Sequence, residues 1–207
     1  MNYYISDLHL NHKNVTKEGK DFDNRGFNTL KGMHDHIERQ WNNKVNNKDT
    51  VYILGDMVWI LDEEILSMVA RLKGHKVLIQ GNHDKGALKD HRFATLFDEI
   101  IPYKEIVDNI GNEHYHLVLS HAPIMMWNGQ HKKDWIHLYG HVHNSSEWDF
   151  YKKYLRELVE DTKNKNDKID RYEDFNPIAI NVGCMLDYMN YEPKSLGELL
   201  KTLDKND

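Results

Sequence analysis

A single cysteine, Cys184, stands in a chain of 207 residues. That excludes an intrachain disulfide and any cysteine-built zinc or iron–sulfur cage, and a reducing, cytoplasmic setting is the expectation. No apolar run approaches 18 residues, so no transmembrane helix is expected and no membrane partner is in view. The opening Met1-Asn2-Tyr3-Tyr4-Ile5-Ser6-Asp7 lacks the basic segment and long apolar stretch of a secretory signal. Positive charge is also short: 27 Lys and Arg against 33 Asp and Glu leave a net −6. Such a balance argues against an extended nucleic acid held by counterion release. Repeats and a true linker are missing too, so one domain over 1–207 is expected.

Histidine, by contrast, is plentiful, with 14 against 12 glycines. It is the commonest metal ligand and the side chain best placed to move protons near neutral pH. Placement decides what so many histidines mean. Tyr3–Ser6, Thr50–Leu54 and Lys76–Gln80 read as strands that end at Asp7, at Gly55-Asp56 and at Gly81-Asn82-His83-Asp84. Between them Leu30, Met33, Ile37 and Trp41 recur at helical spacing. Asp62 is placed to cap a second helix carrying Ile65, Leu66, Val69 and Leu72, stopped near Gly74. Alternating strand and helix predicts an α/β domain with a mainly parallel sheet.

The second half changes character. Lys104–Val107 and His116–Leu119 flank Asp108–Asn112 as a β-hairpin whose second arm runs into Ser120-His121. Trp135–Tyr139 reads as a strand ending at Gly140-His141-Val142-His143. From about 144 to 177 the chain is highly charged, with a helical stretch around Tyr151–Glu160 and a Lys/Asn/Asp-rich piece over 161–170. This is read as an insertion on the one domain, overhanging the histidine loop as a lid or rim. Pro177–Val182 returns to strand character, and Ser195 is placed to cap a closing helix through Leu203.

Five short motifs therefore share one kind of place, where an apolar strand meets a loop. At the carboxyl ends of the strands of an α/β sheet, ligands bind. Converging there, Asp7, His9, Asp56, Asn82, His121, His141 and His143 make an oxygen and nitrogen set without sulfur, suited to Mn, Fe, Co, Ni or Zn. Seven ligands are too many for one ion and suit two that share a carboxylate. Gly55, Gly81 and Gly140 let backbone pass close to a crowded site.

In this order the motifs D-x-H, G-D, G-N-H-D, H and G-H-x-H resemble the calcineurin-like metallophosphoesterase superfamily over almost the whole chain. The most specific is G-N-H-D after an apolar strand. His12, Asn14, Arg25-Gly26-Phe27, Trp41-Asn42 and Asn181-Val182-Gly183 resemble a compact bacterial and phage branch of it. The resemblance implies a sandwich of two mixed sheets flanked by helices in α/β/β/α layers. It implies that Asp7, His9 and His143 ligate one metal, Asn82, His121 and His141 the other, and that Asp56 bridges both. Two divalent transition-metal ions are the implied cofactors, Mn²⁺ first and Fe, Zn, Ni or Co as alternatives. The implied reaction is hydrolysis of phosphate mono- or diesters, with a metal-bridging hydroxide attacking phosphorus in line. His83 matches the family histidine at the leaving-group oxygen, and Asp84 is expected to hydrogen-bond its far nitrogen. A small phosphate ester such as a nucleotide is the expected partner. The alternative is a catalytically silent scaffold of the same fold that binds a protein.

Several residues outside the motifs carry two readings each. His12 serves as a phosphate contact or a solvated loop residue, Asn14 as a site contact or a support of its own turn, and Arg25 as a phosphate clamp or a surface ion pair. His34 and His36 read as solvent-exposed, and His114 and His116 as ordinary strand residues. Trp127, Trp135, Trp148, Tyr139 and Tyr188 serve either as packing or as a stacking wall for an aromatic ester. Cys184 reads as buried and inert.

Overall fold

The computed structural model describes residues 1–164 and 175–203. Two four-stranded sheets form its centre. The first runs β1 (Asn2–Ile5), β2 (Thr50–Ile53), β3 (His75–Ile79) and β4 (Glu99–Ile101), parallel throughout. The second runs β5 (Tyr103–Ile110), β6 (Glu113–Ser120), β7 (Trp135–Tyr139) and β8 (Ile178–Asn181), with β5 and β6 antiparallel and the rest parallel. With the helices that flank the two sheets, this is the α/β sandwich expected.

Helix α1 (Leu30–Lys44) starts where the Thr29 side chain accepts the Gly32 amide, and it buries Leu30, Met33, Ile37 and Trp41 along one stripe. Asp62 caps α2 (Glu63–Arg71) by accepting the Ile65 amide at 2.8 Å. A short α3 (His91–Ala94) leads into β4. The hairpin is longer than its apolar residues suggest: Asp108, Asn109 and Ile110 pair within the ladder, and only Gly111-Asn112 turns. Gly111, at φ +60°, supplies the left-handed first position of that turn.

The charged stretch begins as α4 (Ser146–Asn164), longer than the Tyr151–Glu160 expected. It is a layer of the fold rather than a free arm. Tyr151 packs edge-on against Tyr139 of β7, and its hydroxyl donates to the Ile124 carbonyl at 2.7 Å. Most of the Lys/Asn/Asp-rich piece expected over 161–170 lies outside the described residues. The closing helix α5 (Leu196–Leu203) buries Leu196 and Leu199 and begins at Ser195, whose amide and hydroxyl both donate to Glu198 Oε2.

The two sheets meet at their carboxyl ends. Beyond β1 the Ser6 amide donates to Val182, just past β8, and the Cys184 amide donates back to Ser6. Residues 7–10 run on beside 55–58, with Asp7 donating to Gly55, His9 to Asp56 and Leu10 to Met57. A main cluster of buried apolar side chains, drawing on both sheets, lies behind this seam. The loops that follow β1, β2, β3, β6 and β7 therefore open on one side.

Candidate metal centre

Each ligand candidate sits on one of these loops, and the backbone there is unusual. Asp7, His9, Asp56, His141 and His143 all adopt positive φ, between 47° and 70°. Such conformations cost roughly 1–3 kcal/mol each and persist only where the surroundings hold them. Here the inter-loop hydrogen bonds above do so, together with both carboxylate oxygens of Asp7, which accept the His141 amide at 3.1 and 3.0 Å. Glycine is needed where loops touch. A β-carbon on Gly55 would lie 2.4 Å from His121 Nδ1, and one on Gly140 would lie 2.4 Å from an Asp7 carboxylate oxygen.

The side chains gather in two groups, Asp7 with His9 and His143, and Asp56 with His121 and His141, each offering nitrogen or carboxylate oxygen within 4.8 Å. Asn82 joins the second, its Oδ1 2.9 Å from His121 Nε2. The groups are contiguous, for Asp56 Oδ2 lies 3.4 Å from His121 Nε2 and 3.7 Å from His9 Nε2. All seven residues named from the motifs are thus brought together.

Hydrogen bonding behind the rings shows what these atoms ask for. His121 Nδ1 faces the Leu54 carbonyl at 2.8 Å, so a hydrogen sits there and Nε2 is the nitrogen turned to the other ligand candidates. That nitrogen meets Asn82 Oδ1, Asp56 Oδ2 and, at 3.2 Å, His141 Nδ1. His143 Nδ1 likewise faces both oxygens of Asp23 at 2.9 and 2.8 Å, which turns Nε2 toward His9 Nε2 at 3.1 Å. Ring nitrogens and carboxylate oxygens packed this closely favour positive charge among them, supplied by protons on the imidazoles or by metal ions. The titration behaviour agrees. Burial opposes charge on His121, yet the Asp56 and Asp7 carboxylates overcome it and raise its pKa to about 9. Burial likewise opposes ionisation of Asp56, and His121 with the His83 amide holds it down to about 2. A donor set of carboxylate, amide and imidazole that favours positive charge fits divalent transition-metal ions.

Asp23 was not legible as a site residue, and it matters. Its carboxylate links His143 to Arg25, which donates through Nε at 3.0 Å and Nη2 at 2.9 Å. Arg25 is fully buried at its side chain, and its remaining donors reach the Leu8 and Asp7 carbonyls at 3.0 and 2.9 Å. Both expectations for Arg25 are therefore corrected. It is neither a phosphate clamp nor a surface ion pair but a brace beneath the Asp7 loop. Asn181 is a second brace, donating to the His143 carbonyl at 3.0 Å.

The expected contact between Asp84 and His83 is also corrected. Asp84 is completely buried, and its carboxylate accepts the amides of Gly81, Asp56 and Met57 at 2.8–2.9 Å. Three backbone donors at short range commit it to tying the β2 and β3 loops together. His83 itself projects into the cleft, its side chain 39% exposed and Nε2 3.9 Å from Asp56 Oδ2. His12 is buried rather than solvated, packed against Trp59 with ring centres 3.9 Å apart. His34 is buried too, accepting the Asn11 amide at 3.0 Å.

The cleft over the two groups measures about 480 Å³. Phe22, Trp59 and His12 line one part, and Asn144, Ser145, Ser146 and Glu147 at the start of α4 line another. None of Trp127, Trp135, Trp148, Tyr139 or Tyr188 contributes to this lining. Trp127 is instead buried against His137. Cys184 is buried as expected, and burial pushes its thiol up to about 12.

Comparison with known proteins agrees with this arrangement. A family model for calcineurin-like phosphoesterases matches residues 3–172. An uncharacterized protein of Methanocaldococcus jannaschii is 28% identical over 205 residues, 98% of this chain and 91% of that one. The gene 66 protein of Mycobacterium phage D29 is 27% identical over 169 residues, 69% of this chain and 78% of that one. Among solved structures, a protein of unknown function from Aquifex aeolicus has a TM-score of 0.56 at 22% identity, covering 99% of this chain and 98% of that one, a likeness of fold.

Proposed function

The chain belongs to the calcineurin-like phosphoesterase family, and from that premise we propose that it hydrolyses phosphate mono- or diesters with two divalent metal ions. Family and donor clusters together support metal-dependent phosphoester hydrolysis in general. In the finer reading, Asp7, His9 and His143 hold one ion, Asn82, His121 and His141 the other, and Asp56 is shared. Mn²⁺ is the first choice for this donor set, with Fe, Zn, Ni and Co as alternatives. The observation that carries the reading is the convergence of two groups of carboxylate and imidazole atoms, each within 4.8 Å, that meet at Asp56.

When bound, such ions supply the charge that clamps a phosphate and lowers the pKa of a water for in-line attack. The chain's own residues do the rest. Asp23 and the Leu54 carbonyl hold the Nδ1 protons of His143 and His121, fixing which nitrogen faces the cleft. Asp84 acts by tying loops together. His83, exposed in the cleft, donates a proton to the departing oxygen. The substrate is read as a small phosphate ester such as a nucleotide, handled in the cytoplasm by a single domain, with residues 144–147 as the rim that helps choose it. Among the described residues no helix is long and apolar enough to cross a membrane.

Turnover of bis-p-nitrophenyl phosphate and p-nitrophenyl phosphate by the Mn²⁺-loaded protein tests the reading. Hydrolysis that is lost on chelation and restored by Mn²⁺ is expected. Two bound ions with no turnover of either ester would favour the silent scaffold instead.

A further inference from the structure

With Asp84 committed to backbone amides, the question is what aims the imidazole of His83. Its peptide is fixed, because the His83 amide donates to Asp56 Oδ1 at 2.9 Å. Its ring has few partners. Asp56 Oδ2, at 3.9 Å, is beyond hydrogen-bond range. The His9 ring stands off at 5.7 Å. The close contact is Trp59, whose ring centre lies 4.4 Å from that of His83 at an interplanar angle of 46°.

Trp59 is itself well held. It lies three residues after Asp56 on the same loop, and its amide donates to the Leu10 carbonyl at 2.9 Å beside the Leu10–Val58 bridge. His12, buried, packs against its ring at 3.9 Å, and His9 lies 6.1 Å away. Yet 37% of Trp59 remains exposed to the cleft. The ring therefore stands in the cleft wall beside His83.

We propose that Trp59 is a positioning residue for His83, setting the direction of the imidazole by ring contact where a carboxylate hydrogen bond was expected. This rests on His83 acting as the leaving-group acid. Ring contact has a chemical consequence that a carboxylate would not have. It orients the imidazole without occupying either nitrogen, and an indole face also favours a cationic neighbour. One loop then aims two groups: Asp56 at its start and, through Trp59, the imidazole that stands over Asp56. His12 acts as the prop behind the indole.

The test is the series Trp59→Phe and Trp59→Leu on the metal-loaded protein, with His83→Asn as reference. Turnover is compared for an alkyl phosphate ester, whose leaving oxygen needs a proton, and a p-nitrophenyl ester, whose leaving oxygen does not. Trp59→Leu is expected to keep two ions and to lose about tenfold or more in kcat on the alkyl ester, given how steeply rate depends on placement. The loss in kcat on the p-nitrophenyl ester should be several-fold smaller than on the alkyl ester, and Trp59→Phe should recover most of the alkyl-ester loss. Ring relaxation of ¹³C-labelled histidine in the Zn²⁺-loaded protein supplies a readout apart from turnover. The His83 ring should become mobile in Trp59→Leu and less so in Trp59→Phe. If Trp59→Leu does not fold, the step from Trp to Phe decides, by a fall in ring order or by none.

Unchanged ring order and equal losses on both esters in the Trp59 variants would overturn the proposal. Equal losses in His83→Asn would instead overturn the acid role on which it rests. A leaving-group-dependent loss in His83→Asn alone, with Trp59 variants flat, sinks the positioning role and spares the acid.

Discussion

In the group of Asp7, His9 and His143, one ligand candidate, His143, is backed by a buried ion network, whereas in the group of Asp56, Asn82, His121 and His141 the backing comes from peptide groups. In the first half, His143 leans on Asp23, Asp23 on buried Arg25, and Arg25 on the carbonyls of the Asp7 loop itself. In the second, His121 leans on the Leu54 carbonyl, Asp56 on the His83 amide, and the loops on Asp84 through three more amides. A buried ion network is stiff but fails badly when one member is removed, because the charge left behind has no partner. Peptide groups cannot be removed by side-chain substitution and leave room for open side chains such as His83. The difference lies in the supports and not in access to the cleft. Both halves face the cleft, which His9 and His143 line from the ion-backed side and Asp56, His83 and His141 from the other.

Asp56 is the point at which the halves meet, so Asp56→Asn should break both. We expect less than one tightly held ion per chain by metal analysis, with turnover reduced on the order of 10³-fold, the scale of losing a charge-stabilising group in a dry site. Two retained ions with near-normal turnover would remove Asp56 from the shared position. His83→Asn should touch only the peptide-backed half. Both ions stay, while alkyl esters lose roughly 10²–10⁴-fold and p-nitrophenyl esters far less. Asp23→Asn should damage only the ion-backed half. One of two ions is expected to weaken by roughly 10–100-fold in equilibrium dialysis, the usual cost of losing a ligand's outer partner. If both ions weakened equally, the division drawn above would be wrong. The smallest effect belongs to the rim. Ser146→Ala with Glu147→Ala should shift KM between small and bulky esters by a few-fold and leave metal content intact, since rim loops set choice rather than chemistry. An identical substrate profile would leave the start of α4 with a purely structural role.

Much of this was legible in the sequence because ligands and strand ends obey local rules. Apolar runs that stop at Asp, Gly-Asp or Gly-His mark both the strand and its loop, and the placing of Asp7, Asp56, Asn82, His121, His141 and His143 together follows from parallel strands ending on one side. What escaped depended on contacts between distant segments. Asp23 reaches His143 across 120 residues, and no pattern around Asp23 announces it. Arg25 looked exposed because arginine usually is, and its burial depends on carbonyls of Leu8 and Asp7 that only the left-handed turns bring round. Asp84 stood next to His83 in the chain, but three backbone amides claimed the carboxylate. Trp59 followed Gly55-Asp56 closely enough to be found, but its loop carries no alternation that would mark it as facing the cleft. β4 was too short, at three residues, to show a period at all.

The central claim is a pair of ions set between these two halves, and anomalous scattering from a crystal grown with Mn²⁺ measures it directly. Two peaks roughly 3.5–4 Å apart are predicted, one touched by Asp7, His9 and His143, the other by Asn82, His121 and His141, and both by Asp56. A single peak, or peaks away from these residues, would contradict the account.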